Sequence, residues 1–241
     1  MKVISIINQK GGTGKTTTAF NLASGLKNKG FKTLLIDLDP QANLTYCLTA
    51  DRFNLTTYEL LKGEKISPYE IENNFYLLPS SIRLSKAELE LSGTFGREYL
   101  LEDYLKTIEV DYIVIDCPPS LNVLSLNALI ASNLVIAPVQ TEPLAIEGLD
   151  ILISTLQTIL KRLNKEINYL VLPTMHDHRN KISVDILNYL VENYPLTKSL
   201  IRRNVRLSEL SIYKKNIFEY APTSNGAKDY LALVEEVIRS V

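Results

Sequence analysis

Ten residues, Asn8-Gln9-Lys10-Gly11-Gly12-Thr13-Gly14-Lys15-Thr16-Thr17, stand between an apolar run, Val3 to Ile7, and a stretch with helical periodicity. A glycine-rich loop that leaves a strand and opens a helix is the arrangement that binds nucleotide phosphates. Gly11, Gly12 and Gly14 let successive backbone N–H groups converge on phosphate oxygens, and the helix start adds the positive end of its dipole. Lys15 is spaced to reach the β and γ phosphates of a nucleotide and the Thr16 hydroxyl to ligate Mg2+, with Thr13 and Thr17 on either side. The loop departs from the common G-x-x-x-x-G-K-[ST] pattern: Gln9 stands at the first glycine and a second lysine, Lys10, follows it. From spacing alone Lys10 also reads as a solvated loop lysine.

The rest of the chain alternates short β-branched runs with amphipathic stretches, the pattern of βαβ units in a mostly parallel sheet. Strands are expected over Val3–Asn8, Thr33–Asp37, Tyr76–Pro79, Tyr112–Asp116, Leu134–Pro138, Tyr169–Pro173 and Leu196–Ile201. Apolar residues occupy consecutive positions in most of them, so helices must cover both faces of the sheet. Helices are expected over Lys15–Lys29, Thr56–Lys62, Glu98–Lys106, Ser120–Ser132, Ala145–Lys161, Ile182–Asn193 and Ala227–Ser240. The fold class is therefore α/β, a twisted sheet flanked by helices. No repeat or low-complexity linker divides residues 1–241, which read as one domain.

Two carboxylates, Asp37 and Asp39, end the second strand, where open α/β sheets bind ligands. With period two they point to one side. A third acid, Asp116, ends Tyr112-Ile113-Val114-Ile115 and leads into Cys117-Pro118-Pro119-Ser120. Each is also readable as a capping residue at a strand end. Asp116 is placed to hold Mg2+ through water.

A net charge of −1 hides unequal segments. Residues 1–36 carry six lysines and no acid, whereas residues 161–215 carry eleven Lys/Arg against five Asp/Glu. In the second segment Arg179, Lys198, Arg202, Arg203, Arg206, Lys214 and Lys215 would attract a phosphate backbone, or else form a solvated basic face. With 46% hydrophobic and 22% charged residues the chain is too apolar to be disordered. No run approaches the length of a membrane span, no secretion signal opens the chain, and a cytoplasmic protein is expected. Cys47 and Cys117 are seventy residues apart with no histidine near either, so neither a zinc site nor a disulfide framework is supported. His176 and His178 read as surface residues.

Lys10-Gly11-Gly12-Thr13-Gly14-Lys15-Thr16 resembles the deviant Walker A loop of the ParA/MinD class of phosphate-loop ATPases. Val139-Gln140-Thr141-Glu142-Pro143, Pro173-Thr174-Met175, Asn204-Val205-Arg206-Leu207-Ser208-Glu209 and Ala221-Pro222-Thr223-Ser224 look like its Soj-type ParA subgroup. The resemblance covers essentially the whole chain. It implies an Mg-dependent ATPase in which Lys10 reaches across a homodimer to the other subunit's ATP, Asp39 orients the attacking water and Asp37 lies near the Mg2+ water shell. It implies Thr174, Met175, Arg203 and Asn204 at the adenine. It also implies partition of plasmid or chromosome DNA: a nucleoid-associated sandwich dimer coats double-stranded DNA without sequence preference and is released by a ParB-type partner. Positioning of another cargo (a chemotaxis array or microcompartment), or of a division site as in MinD, shares these motifs. A loop starting at residue 8 leaves no room for the N-terminal helix-turn-helix of longer relatives. Arg202, where the family often has proline, and Leu210-Ser211-Ile212, where it has Ala-Pro-Ser, are departures from the pattern.

Overall fold

In chain order the elements are β1 (Lys2–Ile6), α1 (Lys15–Asn28), β2 (Thr33–Asp37), α2 (Asn43–Leu48), α3 (Thr57–Leu61), β3 (Tyr69–Glu72), β4 (Phe75–Leu78), a 3-10 turn (Ile82–Lys86), α4 (Ala87–Glu90), α5 (Leu100–Leu105), β5 (Tyr112–Asp116), α6 (Val123–Ala131), β6 (Leu134–Gln140), α7 (Leu144–Leu163), β7 (Asn168–Thr174), α8 (Lys181–Asn193), α9 (Val205–Tyr213), α10 (Ile217–Tyr220) and α11 (Asn225–Ser240). They are those of a computed structural model describing residues 1–240, the Glu88 side chain aside; Val241 lies outside the described residues. The seven strands are ordered β3-β4-β2-β5-β1-β6-β7. Every neighbouring pair is parallel except β3 with β4.

The continuous apolar strands divide their side chains between two cores by simple alternation. Leu34 and Ile36 of β2, with Ile113 and Ile115 of β5, pack into the core that also holds Leu60, Leu101, Leu129 and Leu152. Leu35 and Val114 point the other way, to Leu22, Leu26, Leu210, Tyr230 and Val234. Helices α3 to α8 therefore cover one face, and α1, α2, α9, α10 and α11 the other. Both faces are dry, which is why the central strands carry no polar alternation.

The register brings the strand ends that matter into one row. Ile6 of β1 pairs with Asp116 of β5, and Asp37 of β2 pairs with the same Asp116. All three strands run in the same direction, so the loops that follow them converge at the carboxyl edge.

Several expectations change, and the short helices α2, α4, α9 and α10 are additions to those expected. Leu196–Ile201 is not a strand; it makes only isolated bridges, Leu196 to Val171 and Arg202 to His176. The Glu236 carboxylate accepts from the N–H groups of Lys198 and Ser199, at 2.7 and 2.9 Å, which takes those donors out of any ladder. The antiparallel β3 was not expected. It joins β4 through Asn73-Asn74, with Asn74 in the left-handed region at φ 60°, a conformation asparagine tolerates in tight hairpins. Helix α6 begins at Val123, three residues later than expected, because the Asn122 side chain accepts from the N–H groups of Leu124 and Ser125 as an N-cap.

The loop-bearing helix α1 is seated by close approach rather than by a wide apolar stripe. A Cβ on Gly25 would lie 2.4 Å from Val234 Cγ2 and 3.2 Å from the Phe218 ring. Gly25→Ala should gain about 1 kcal/mol of helix propensity and lose more through overpacking, for a net destabilisation of about 1–2 kcal/mol. A urea midpoint equal to or above that of the unsubstituted chain, at equal m-value, would show that α1 and α11 are not held this closely.

Candidate active site

Asn8, buried at the end of β1, starts the loop by bonding in two directions. Its Nδ2 donates to the Pro138 carbonyl at 2.6 Å and its Oδ1 accepts from the Lys10 N–H at 2.9 Å. Gly12 and Gly14 adopt φ values of 75° and 93°, which side chains rarely tolerate. The loop's carbonyls are tied outward: Gly12 O accepts from Gln140 Nε2, and Thr13 O from Thr174 Oγ1, each at 2.9 Å. The Lys10 carbonyl accepts from Lys15 Nζ at 3.1 Å. With the carbonyls turned away, the N–H groups of Gly11 through Thr17 have no protein partner among the described residues, and Gly14 caps α1 without a side chain. Such a row of orphan donors at a helix start is a site for an anion with several oxygens.

The carboxylates stand behind the loop. Asp116 Oδ2 accepts from the Thr16 hydroxyl at 2.7 Å, while its Oδ1 is buried with no hydrogen-bond partner. Asp37 is more fully engaged: Oδ1 accepts from the Asp39 N–H at 3.1 Å, and Oδ2 from both the N–H and the hydroxyl of Thr45 at 2.8 Å. Asp39 begins the turn into α2, its Oδ1 accepting from the Gln41 N–H at 2.9 Å. Burial pushes the Asp37 carboxyl up to about 7, against the hydrogen bonds from Thr45 that lower it. Asp116 is raised well above the ordinary range, by burial first and the neighbouring Asp37 charge second. Burial also lowers Lys15, opposed by Asp116 and Asp39.

Two buried, adjacent carboxyl groups leave this edge short of positive charge, and an oxygen donor set of Thr16 and Asp116 suits a hard divalent cation. Magnesium keeps several waters and takes phosphate oxygens as ligands, so one hydroxyl and one carboxylate are sufficient protein donors. The residues present therefore fit Mg2+ with a nucleoside triphosphate. Bound there, the cation would draw charge from the phosphate oxygens.

The remaining predicted residues are distributed unevenly. The Lys10 ammonium makes no hydrogen bond or ion pair among the described residues, whereas its carbonyl is in use. Thr17 turns its carbonyl to Asn21 Nδ2 at 2.7 Å. Thr174 is buried and spends its hydroxyl on the loop, next to Met175 in the left-handed region at φ 52°. Asn204 caps α9, and Arg203 lies 3.5 Å from Glu142. The bridge from His176 to Arg202, with the Arg203 N–H donating to the His176 carbonyl at 3.0 Å, sets Arg203 beside the segment that carries Arg179.

Two of the seven basic candidates face inward. Arg202 forms a forked ion pair with the buried Asp229, and Lys214 donates to the carbonyls of Tyr46 and Thr49. Arg179 and Arg206 are exposed but paired with Asp177 and Glu209 at 3.1 Å, while Lys198 and Lys215 are exposed without an ion pair among the described residues. His176, expected at the surface, is buried, its Nδ1 3.2 Å from the Ser183 hydroxyl. Sequence reasoning quoted Asn8 and Gln140 within motifs but gave them no role, and it passed over Thr45; the three hold the loop and Asp37.

A glycine loop with orphan donors, a buried lysine and strand-end carboxylates beside a threonine define a phosphate-loop nucleotide hydrolase. A family model described as an AAA domain matches residues 1–169. The sporulation initiation inhibitor protein Soj of Bacillus subtilis is 40% identical over 248 residues, covering 98% of each chain. The chromosome-partitioning ATPase Soj of Thermus thermophilus is also 40% identical, over 99% of this chain and 96% of that one. Among solved structures, a cobyrinic acid a,c-diamide synthase from Mycobacterium smegmatis with a bound ATP analog and magnesium superposes with a TM-score of 0.86 at 33% identity, over 99% of this chain and 95% of that one. The chain belongs to the ParA/Soj family of partition ATPases, and it is an ATPase.

The raised carboxyl of Asp37 has a stability consequence with a definite sign. The folded state holds the proton up to about 7 while the unfolded chain releases it near 3.8, so its contribution is full below the lower value and is lost as pH rises between the two. The urea midpoint of the nucleotide-free protein should carry a component that declines across that window. Asp39→Asn, which removes the charge that helps raise Asp37, should make the decline shallower; an identical pH profile for the two proteins would rule out the interaction between these two carboxyls.

Proposed function

We propose that two copies of this chain close face to face over two ATP molecules, bind duplex DNA without sequence preference in that state, and release it after hydrolysis stimulated by a ParB-type partner. The observation that carries this reading is the unpartnered ammonium of Lys10, on a loop whose other lysine is already held inside the chain. A second loop lysine with no partner among the described residues supports a role at the nucleotide of the other subunit. The loop N–H groups bind the triphosphate, Thr16 and Asp116 would hold Mg2+ beside it, Lys15 neutralises its β and γ oxygens and Asp39 orients a water. That water attacks the γ phosphorus, the bond to the β–γ bridging oxygen breaks, and ADP and phosphate leave with the water's proton passed to solvent or phosphate. Lys10 of the partner subunit offsets charge that develops on the leaving oxygens.

DNA contact is assigned to Arg179, Arg203, Arg206 and Lys215, with the exposed Lys198; Arg202 and Lys214 are left out because their charges are engaged inward. Pairing two such surfaces doubles the phosphates neutralised and steepens the salt dependence, at roughly 0.9 in log–log slope for each. Met175 and Asn204 are assigned to the adenine side, with Thr174 supporting the loop beneath. No described helix is long and apolar enough to cross a membrane. The apolar face of α11 is buried against α1 through Tyr230, Val234 and Val237, which leaves it unavailable as a lipid-binding helix of the MinD kind. A nucleoid-associated location follows from the DNA reading.

Lys15→Ala should bind no ATP, whereas Lys10→Ala should bind it and remain monomeric with magnesium and a non-hydrolysable analogue in analytical ultracentrifugation. A Lys10→Ala dimer as tight as the parent would remove the cross-subunit role. Arg179→Glu with Lys215→Glu should lower ATP-dependent retention on duplex about tenfold or more and reduce the salt slope, with basal hydrolysis preserved. Retention unchanged at two ionic strengths would place the interface elsewhere.

A further inference from the structure

Helix α2 has six residues, begins after Ala42 in the left-handed region at φ 54°, and is too short to hold its place alone. At one end the Asp37 carboxylate grips Thr45, whose hydroxyl also accepts from the Ser80 N–H at 3.0 Å. At the other end a single side chain closes it. Lys214 Nζ donates to the carbonyls of Tyr46 at 2.6 Å and Thr49 at 2.9 Å, and stands 4.0 Å from the centroid of the Tyr46 ring. These carbonyls are the negative end of α2, so an ammonium there satisfies unpaired acceptors and opposes the dipole.

The backbone of Lys214 points the same way. It terminates α9 in the left-handed region at φ 51° and ψ 43°, where glycine or asparagine is the usual occupant. A lysine held there accepts strain that the side-chain contacts offset. The turn of Asp39 is built on α2: the Ala42 N–H donates to the Asp39 carbonyl and the Gln41 N–H to its carboxylate, both at 2.9 Å.

We infer that Lys214 is a positioning residue for ATP hydrolysis, fixing α2 and thereby the Asp39 carboxylate, instead of a DNA contact. The inference rests on the assignment of Asp39 to the attacking water. It places the basic segment in mechanical contact with the hydrolytic turn through one ammonium.

Lys214→Asn keeps a residue that tolerates the backbone but cannot reach α2, and Lys214→Arg keeps the reach and the charge. Steady-state hydrolysis of MgATP, without DNA or partner, should show kcat of Lys214→Asn lowered on the order of tenfold with KM within about twofold and an unchanged melting temperature. Lys214→Arg should return kcat to within about threefold of the parent. Asp39→Ala, measured beside them, separates the two readings. If Asp39→Ala is inactive and Lys214→Asn turns over normally, the positioning role is overturned and the carboxylate assignment stands. If Asp39→Ala turns over normally, both fall. A loss of kcat in Lys214→Asn that comes with a higher KM or a lower melting temperature, or that arginine fails to restore, overturns the role in favour of a purely structural one.

Discussion

Charge buried at the carboxyl edge of a parallel sheet is the constraint on which this structure turns. Asp37 and Asp116 end adjacent strands in direct register, in a region with almost no solvent, and Lys15 is drawn in among them. Burial raises both above their ordinary range, and the Asp37 charge adds to the shift of Asp116. The fold tolerates the arrangement because hydrogen bonds from Thr45 and Thr16 offset part of the cost, and because a bound cation and phosphate would supply the missing partners. Ligand bound at this edge would therefore add to the stability of the folded protein.

The phosphate loop answers the same constraint with opposite sign. Its carbonyls are drawn outward by Gln140 and Thr174 from the ends of β6 and β7, leaving a set of N–H groups for an anion. Donors and carboxylates therefore meet along a single edge, with Thr16 in contact with both sets through its hydroxyl to Asp116. Preorganisation of this kind removes the need to reorient the site as charge develops on the reacting phosphate.

Beyond the edge, the basic C-terminal segment separates into inward and outward charges. Arg202 serves the Asp229 pair and Lys214 the end of α2, so positive charge there has a structural share as well as a surface one. Exposed pairs such as Arg179 with Asp177 are screened by solvent and contribute little to stability.

The amino-acid order alone determined the α/β class, the covered sheet, the strand-loop-helix at residues 1–29 and the three aspartates, because each of these is a local pattern of period, glycine placement and strand ending. Resemblance extended this to the family. Only the tertiary structure decided what depends on register and packing: that Asp37 faces Asp116, that Asn8, Gln140 and Thr174 hold the loop, and that Leu196–Ile201 is diverted from the sheet by Glu236. It likewise decided which of the seven basic residues are free, since a charge run reads the same whether its partner is solvent, an acid twenty-seven residues away, as for Arg202 and Asp229, or a helix end one hundred and sixty-five residues away, as for Lys214 and Thr49. Those pairings are long-range, and no local pattern encodes them.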